Sequence, residues 1–280
     1  MPPITILNGF GISLGDGIIG LQALSVARTI GAIEGPVVLA RIDSAAKPLL
    51  PQLYDLAGDL AAVVPMAEAD LAGPVIDMRD FAYDPGFARI SMIDFFLSRL
   101  GVAPDSVASV LKRNTWLAPR AGRLPGLGLS PGYTLVCPTA SIALRNMPEA
   151  VHGAVIARLS GPVLTQGPPS GGAIAAPVCK TIRELCALVA GARCVISTDT
   201  ATMHLADAFS VPCLAFFTTH RPEWRVRDYP LCQAIYLPAD LPASIEFPRD
   251  DADLVAARAA WFPDGDNLIW LDRALTEFGV

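Results

Sequence analysis

The chain has 280 residues, 52% of them hydrophobic and only 17% charged, enough to build one large α/β domain or two ordinary ones and too apolar for disorder. Its formal net charge of −6 argues against general nucleic-acid binding, and no apolar run reaches the ~18 uninterrupted residues of a membrane span. The cysteines at 137, 179, 186, 194, 213 and 232 form no CxxC pair and no His/Cys cluster, so reduced thiols and no metal site are expected.

The start, MPPITILNGF, has no basic segment ahead of an apolar one and reads as the first strand of a cytosolic protein. Residues 4–7 run into a loop with Gly9, Gly11, Gly15 and Gly17, and a helix is predicted from about 18 to 30. The spacing GxGxxxGxG differs from the dinucleotide fingerprint GxGxxG. Asp16 falls in the loop just ahead of that helix, as a cap or as a carboxylate aimed into a cleft. Strands are predicted at 35–39, 61–64 and 74–77, with a helix at 48–57 between the first two. Residues 81–85 read as a loop with exposed aromatics, and 92–100 as a helix with Phe95, Phe96 and Leu100 on one face. This first α/β half ends near Trp116.

Proline and glycine dominate 117–132, LAPRAGRLPGLGLSPG, which reads as a joint. Domains are accordingly expected at 1–120 and 133–265, with a linker at 121–132 and a closing helix at 266–280. A strand at 133–137 leads into the polar stretch 138–146, and Pro148 stands at or near the start of a helix that includes 151–159. A strand at 162–166 and the loop GPPSGG follow. The next helix, 181–190, carries an apolar stripe of Ile182, Leu185, Cys186 and Val189.

The most informative stretch is CVISTDTATMHLADAFSVPCLAFF: apolar strand, polar turn, short helix, second strand, one βαβ step of a parallel sheet. Its turn lies at the carboxyl end of a strand and the amino end of a helix, where α/β sheets bind ligands and helix N–H groups favour phosphate. Asp199 or Thr200 can equally be a plain N-cap; a cap does not account for His204 one turn on. The loop 218–227 is polar, aromatic and cationic, 238–253 looks irregular, and helices at 254–261 and 268–278 close the chain.

Two α/β halves with ligand loops and a proline-rich joint describe a hinged two-Rossmann architecture with a cleft between. Within it, TIRELCALVAGARCVISTDTATMHLADAFSVPCLAFF resembles the donor-binding half of glycosyltransferase family 9, the ADP-heptose:lipopolysaccharide heptosyltransferases, and the resemblance implies a GT-B-like α/β fold of two Rossmann-type domains with parallel sheets facing across a cleft. Asp199, Thr200, His204, Leu205, Ala206, Ala208 and Pro212 match that family's D-[ST]-G-x-x-H-L-A-A-A and x-x-P pattern. SLGDGIIGLQALSVAR is similar to its S-x-G-D helix start, and Ser141, Arg145, Met147, Pro148 and Glu149 fall where it places a Thr/Ser, a basic residue and a W-P-x-E step.

The resemblance implies a metal-independent, inverting transfer of a heptose-like sugar from a nucleotide diphosphate donor, ADP-heptose among the candidates, to a lipopolysaccharide or other surface-glycan acceptor. No cofactor beyond that co-substrate is implied. The partners would be donor and glycolipid acceptor, with no nucleic acid, and the location the cytosolic face of the inner membrane, in peripheral contact with it. Asp16 would be the general base on the acceptor hydroxyl. Arg145, Ser141 and the backbone N–H groups of Thr200, Ala201 and Thr202 would meet the diphosphate charge. Asp199 would hold sugar hydroxyls, His204 would contact the donor or brace the turn, and Lys180 would line the nucleoside pocket. Phe81, Tyr83, Phe87 and Arg89 would help hold an amphipathic acceptor.

The chain departs from the family at identifiable places. Ala201 replaces a glycine, at a cost of roughly 1 kcal/mol if the position needs positive φ and none if it is the helix's first residue. Ala23 or Leu24 stands at the helix proline, Arg145 at a lysine, and GPPSGG offers no acidic ribose contact. A degenerate member that binds nucleotide or glycan as a scaffold or regulator is the alternative. Nucleotide-sugar epimerisation fits the spacing less well, and a nicotinamide-dependent dehydrogenase lacks its fingerprint.

Overall fold

The computed structural model describes residues 2–43, 45–87, 89–242, 245 and 247–280. They divide into two compact units, residues 1–125 with 179–186, and residues 126–178 with 187–280. Each holds a parallel sheet whose central strands are buried and apolar, with helices carrying most of the crossovers.

In the first unit the strands are β1 (Ile4–Leu7), β2 (Val37–Arg41), β3 (Ala62–Pro65) and β4 (Val75–Asp77). Among the described residues they form a sheet of order β3-β2-β1-β4, with Ile4 opposite Val37 and Thr5 opposite Val75. The second strand begins two residues later than the sequence suggested and therefore ends on Arg41. Helices α1 (Leu14–Thr29), α2 (Leu49–Asp55) and α3 (Met92–Arg99) complete the layers.

Helix α1 starts earlier than its glycines suggest. Ser13, extended at φ −103 and ψ 152, caps it by accepting the Asp16 amide at 3.2 Å, so Asp16 stands in the first turn of the helix and not in the loop before it. The glycines serve close packing: a Cβ at Gly20 would fall 2.0 Å from the Phe10 ring, and one at Gly17 3.0 Å from Leu53.

Phe81 and Phe87 do not form an exposed apolar surface. A 3₁₀ turn over Phe81–Tyr83 swings Phe81 inward, where it meets Phe87 edge to face at 4.9 Å and Phe96 at 5.2 Å, leaving Tyr83 and Arg89 exposed. Burying two phenyl rings contributes on the order of 2 kcal/mol each, which the exposed loop would forgo. The stretch read as a joint also begins with structure. Helix α4 (Leu117–Ala121) follows the buried Trp116, whose indole donates to the Ile18 carbonyl at 2.9 Å and whose amide donates to Gln22. The proline- and glycine-rich character starts only at Gly122, which has φ 60.

The second unit contains β5 (Tyr133–Cys137), α5 (Glu149–Arg158), β6 (Val163–Thr165), β7 (Ile174–Ala175), α6 (Ile182–Ala190), β8 (Ala192–Thr198), α7 (Ala201–Ala208), β9 (Cys213–Phe217), β10 (Cys232–Tyr236), α8 (Asp251–Ala259) and α9 (Ile269–Phe278), with the start of α6 counted in the first unit. Among the described residues its sheet runs β10-β9-β8-β5-β6-β7. Taking β5 as the first strand, this is the Rossmann order 3-2-1-4-5-6, whose direction reverses between β5 and β8. Strands β7 and β10 went unread because one spans two residues and the other is half-exposed at the sheet edge. The stretch 238–253, expected to be irregular, includes residues 243, 244 and 246, which lie outside the described residues; its last residues enter α8, capped by Asp250. Val136, Ile196, Leu214 and Phe216 of the strands pack with Val155 of α5 and with Trp261 and Leu271.

Candidate functional site

The reversal between β5 and β8 puts two loops at one sheet edge, and both carry charge. The turn after β5 closes through Met147 N–H to the Pro138 carbonyl (2.8 Å) and Ala140 N–H to Asn146 Oδ1 (2.8 Å), ending in a 3₁₀ turn over Ala143–Arg145. The turn after β8 presents Asp199. Arg145 Nη1 donates to Asp199 Oδ2 at 3.2 Å, and His220 Nδ1 lies 3.1 Å from the same oxygen. The loop after β9 thus joins the other two, and Thr218 ties it down by donating to the Leu144 carbonyl at 3.1 Å. Three neighbouring strands, β9, β8 and β5, deliver their carboxyl ends into one cluster.

Burial alone would raise the Asp199 carboxyl. The Arg145 guanidinium, the His220 hydrogen bond and Arg225 outweigh it and hold the group well below the usual carboxylate range. The arrangement has a front and a back: the Asp199 side chain is 4% exposed and that of Arg145 14%. The Asp199 carboxylate, expected to hold sugar hydroxyls, is buried and engaged by Arg145 and His220. A fork aimed from a fixed base is suited to a phosphate or diphosphate.

Thr200 caps α7, its Oγ1 accepting the Thr202 amide at 3.1 Å. That amide, expected to meet phosphate, is already bonded within the turn. Ala201 is the first residue of the helix and has no positive φ, so the replacement of glycine there costs nothing. Thr202 Oγ1 reaches Gln166 Oε1 at 3.4 Å, and Cys137 Sγ donates to the same oxygen at 3.1 Å, linking α7, β5 and the end of β6. Ser141 is exposed on the β5 turn. Lys180 is exposed and counts with the first unit; its amide donates to Glu184 at 2.6 Å and its carbonyl accepts from Gln52 at 3.4 Å.

His204, expected to contact the donor or brace the turn, packs against Tyr229. It is buried, its Nδ1 is 2.8 Å from the Tyr229 hydroxyl, and the two rings meet edge to face at 5.7 Å. Burial pushes its pKa down to about 3 against the pull of Asp199, so the ring is neutral at neutral pH. The ordinary value is about 6.5, and the unfolded chain therefore takes up this proton first as pH falls. The stability involved is complete above pH ~6.5 and is lost from there toward ~3, at up to ~1.4 kcal/mol per pH unit. Urea midpoints at pH 7 and pH 5 are expected to differ more for the wild type than for His204→Gln; equal shifts would remove His204 from the pH response.

In the first unit Asp16 is half-buried at the first turn of α1, and its Oδ2 lies 3.2 Å from the point where a Cβ on Gly11 would stand. His220, Arg225 and Arg41 were not singled out in the sequence. His220 and Arg225 looked like ordinary members of a polar loop, and Arg41 like the end of an apolar strand. The available signal was position: His220 lies just past the end of β9 and Arg41 is the last residue of β2.

Among the described residues no group of three His, Cys, Asp or Glu side chains is placed to hold a metal ion, and no helix is long and apolar enough to cross a membrane. Residues 175–241 match glycosyltransferase family 9 (heptosyltransferase). No curated protein matches the chain by sequence. Solved structures share its fold. Escherichia coli heptosyltransferase WaaC with ADP-2-deoxy-2-fluoro heptose aligns over 99% of both chains at 14% identity and a TM-score of 0.57. The iron-containing dodecameric glycosyltransferase TibC from enterotoxigenic E. coli aligns over 99% of this chain and 76% of its own, at 14% identity and a TM-score of 0.63. A family 9 glycosyl transferase from Veillonella parvula aligns over 99% and 96%, at 13% identity and a TM-score of 0.61. The family pattern falls on the very segment that builds the Asp199 turn, and the chain shares the fold of solved family 9 (heptosyltransferase-like) glycosyltransferases of GT-B type.

Proposed function

We propose that the protein moves a heptose-like sugar from a nucleotide diphosphate, ADP-heptose being the first donor to test, to a lipopolysaccharide or other surface-glycan acceptor, without a metal ion and with inversion at the anomeric carbon. The observation that carries this reading is the Arg145–Asp199–His220 cluster at the reversal of the second sheet, which holds one guanidinium in place from behind. In an inverting displacement the acceptor oxygen bonds to the anomeric carbon while the carbon–oxygen bond to the diphosphate breaks. The electron pair leaves on phosphate, and a pre-oriented cation there is favoured over one that must reorganise. Arg145 supplies that cation, Thr200 and α7 supply the adjoining helix start, and Asp16 is the base that takes the acceptor proton. Ser141 and Lys180 complete the donor contacts. The structures of WaaC with a fluoro-heptose analogue of the ADP-sugar and of TibC with ADP-D-beta-D-heptose support the choice of donor.

Arg145→Gln keeps a hydrogen-bonding group for Asp199 and removes the charge. It is expected to weaken ADP binding 10- to 100-fold in calorimetry, the range of a charged hydrogen bond to phosphate. Transfer from ADP-heptose, assayed with and without chelator, should be chelator-insensitive. Equal ADP affinity in both proteins would overturn the assignment of Arg145. Binding without turnover on any donor would make the chain a nucleotide-binding scaffold.

A further inference from the structure

Arg41 ends β2 with only 2% of its surface exposed, an expensive place for a cation. Its donors serve backbone more than a carboxylate. Nη1 donates to the Gly9 carbonyl, Nη2 to the Gly11 carbonyl at 3.1 Å, and Nε to Asp43 Oδ1 at 3.3 Å. The guanidinium carbon sits 3.6 Å from the centre of the Tyr54 ring, and the Tyr54 hydroxyl donates to the same Gly9 carbonyl at 2.7 Å.

The two carbonyls flank Phe10. That residue is fully buried with φ 57, between Asn8 at φ 51 and Gly11 at φ 75. Left-handed backbone costs a non-glycine residue roughly 1 kcal/mol or more and persists only where its surroundings over-determine it. The Arg41 fork, Tyr54 and the space left by Gly20 are those surroundings. Gly11, so fixed, stands against the Asp16 carboxylate. Apolar side chains of similar volume often fill a buried site at less cost than ions, so packing alone does not explain an arginine here.

We propose that Arg41 is a positioning residue for Asp16: its fork freezes the glycine loop in the one shape that seats the carboxylate, and its charge acts on that carboxylate. The proposal rests on the reading of Asp16 as the base. Of the titratable and charged groups on the neighbouring elements, Tyr54 on α2 feels Asp16, Arg41 and Asp43 together, Arg41 holds Asp43 at the end of β2, and Lys47 donates to the Ile12 carbonyl at 2.9 Å. Burial raises the Tyr54 hydroxyl, Arg41 opposes that, and Asp16 and Asp43 add to it, so Tyr54 stays a neutral donor.

Arg41→Met is expected to lower kcat for transfer 10- to 100-fold while leaving the donor KM and ADP affinity unchanged, with Arg41→Lys recovering part of the loss. An unchanged kcat, or a loss matched in ADP affinity, would overturn the proposal. A second readout needs no turnover. In Asp16→Cys the introduced thiol should be alkylated by iodoacetamide with a midpoint about one pH unit lower than in Asp16→Cys/Arg41→Met, and equal midpoints would show that the charge does not reach the position. Should Arg41→Met fail to fold, Arg41→Lys keeps the charge and loses the fork: kcat is then expected to fall with the thiol midpoint unmoved, and wild-type kcat would overturn the positioning role. If the wild type transfers no sugar, the base assignment fails by itself while the thiol comparison still decides whether Arg41 acts on position 16.

Discussion

An Asp16→Asn protein is expected to bind ADP as the wild type does and to transfer sugar on the order of a thousandfold more slowly, the usual reach of a positioned general base. The substitution suits the question because it spares the local fold. The helix cap is made by the Ser13 hydroxyl and the Asp16 backbone amide, neither of which changes. The amide also keeps the volume beside Gly11, where a Cβ would come within 3.2 Å of Oδ2. A fall in kcat with unchanged nucleotide affinity, in single-turnover and calorimetric measurements, assigns the loss to the chemical step. Wild-type turnover would remove Asp16 from the mechanism and leave the acceptor proton to another group.

The second large effect concerns stability. Asp199→Ala leaves the Arg145 guanidinium and the His220 ring facing a buried void, and removal of one partner from such a cluster costs about 3–5 kcal/mol. Much of that is desolvation of the abandoned charge, so the pairing of substitutions matters more than their sum. Arg145→Gln combined with Asp199→Asn should recover part of the loss, as a double-mutant cycle in urea would measure. Strict additivity would mean that the two side chains do not stabilise one another. Because Asp199 is held well below the usual carboxylate range, its contribution is complete above pH ~3.9 and disappears as pH falls below that value.

What the sequence made legible follows from the range of the interactions involved. The βαβ step around Asp199 could be read because its signals lie within 24 residues: β-branched strand, polar turn, helix, strand. The burial of Asp199 could not, since the partners that engage it lie 54 residues before and 21 after. Arg145 was visible through the family's basic position, whereas His220 had no motif to mark it. Helix α1 was started too late because its glycines suggested a loop, and only packing against Phe10 and Leu53 shows why a helix keeps them. The inward turn of Phe81 and Phe87 depends on partners in α3 that local composition does not reveal. Arg41 was hidden for the opposite reason: an arginine closing an apolar strand looks like its solvated end.

The ring of Phe10 lies in the volume that any side chain at position 20 would need. The loop after β1 is therefore fastened from the core side, one helical turn beyond the residue it serves. A graft of residues 8–11 from a distant homologue would import a shape without the socket that holds it. Loop and helix have to be exchanged together, as a single cassette from 8 to 20, for the transplanted loop to keep its form.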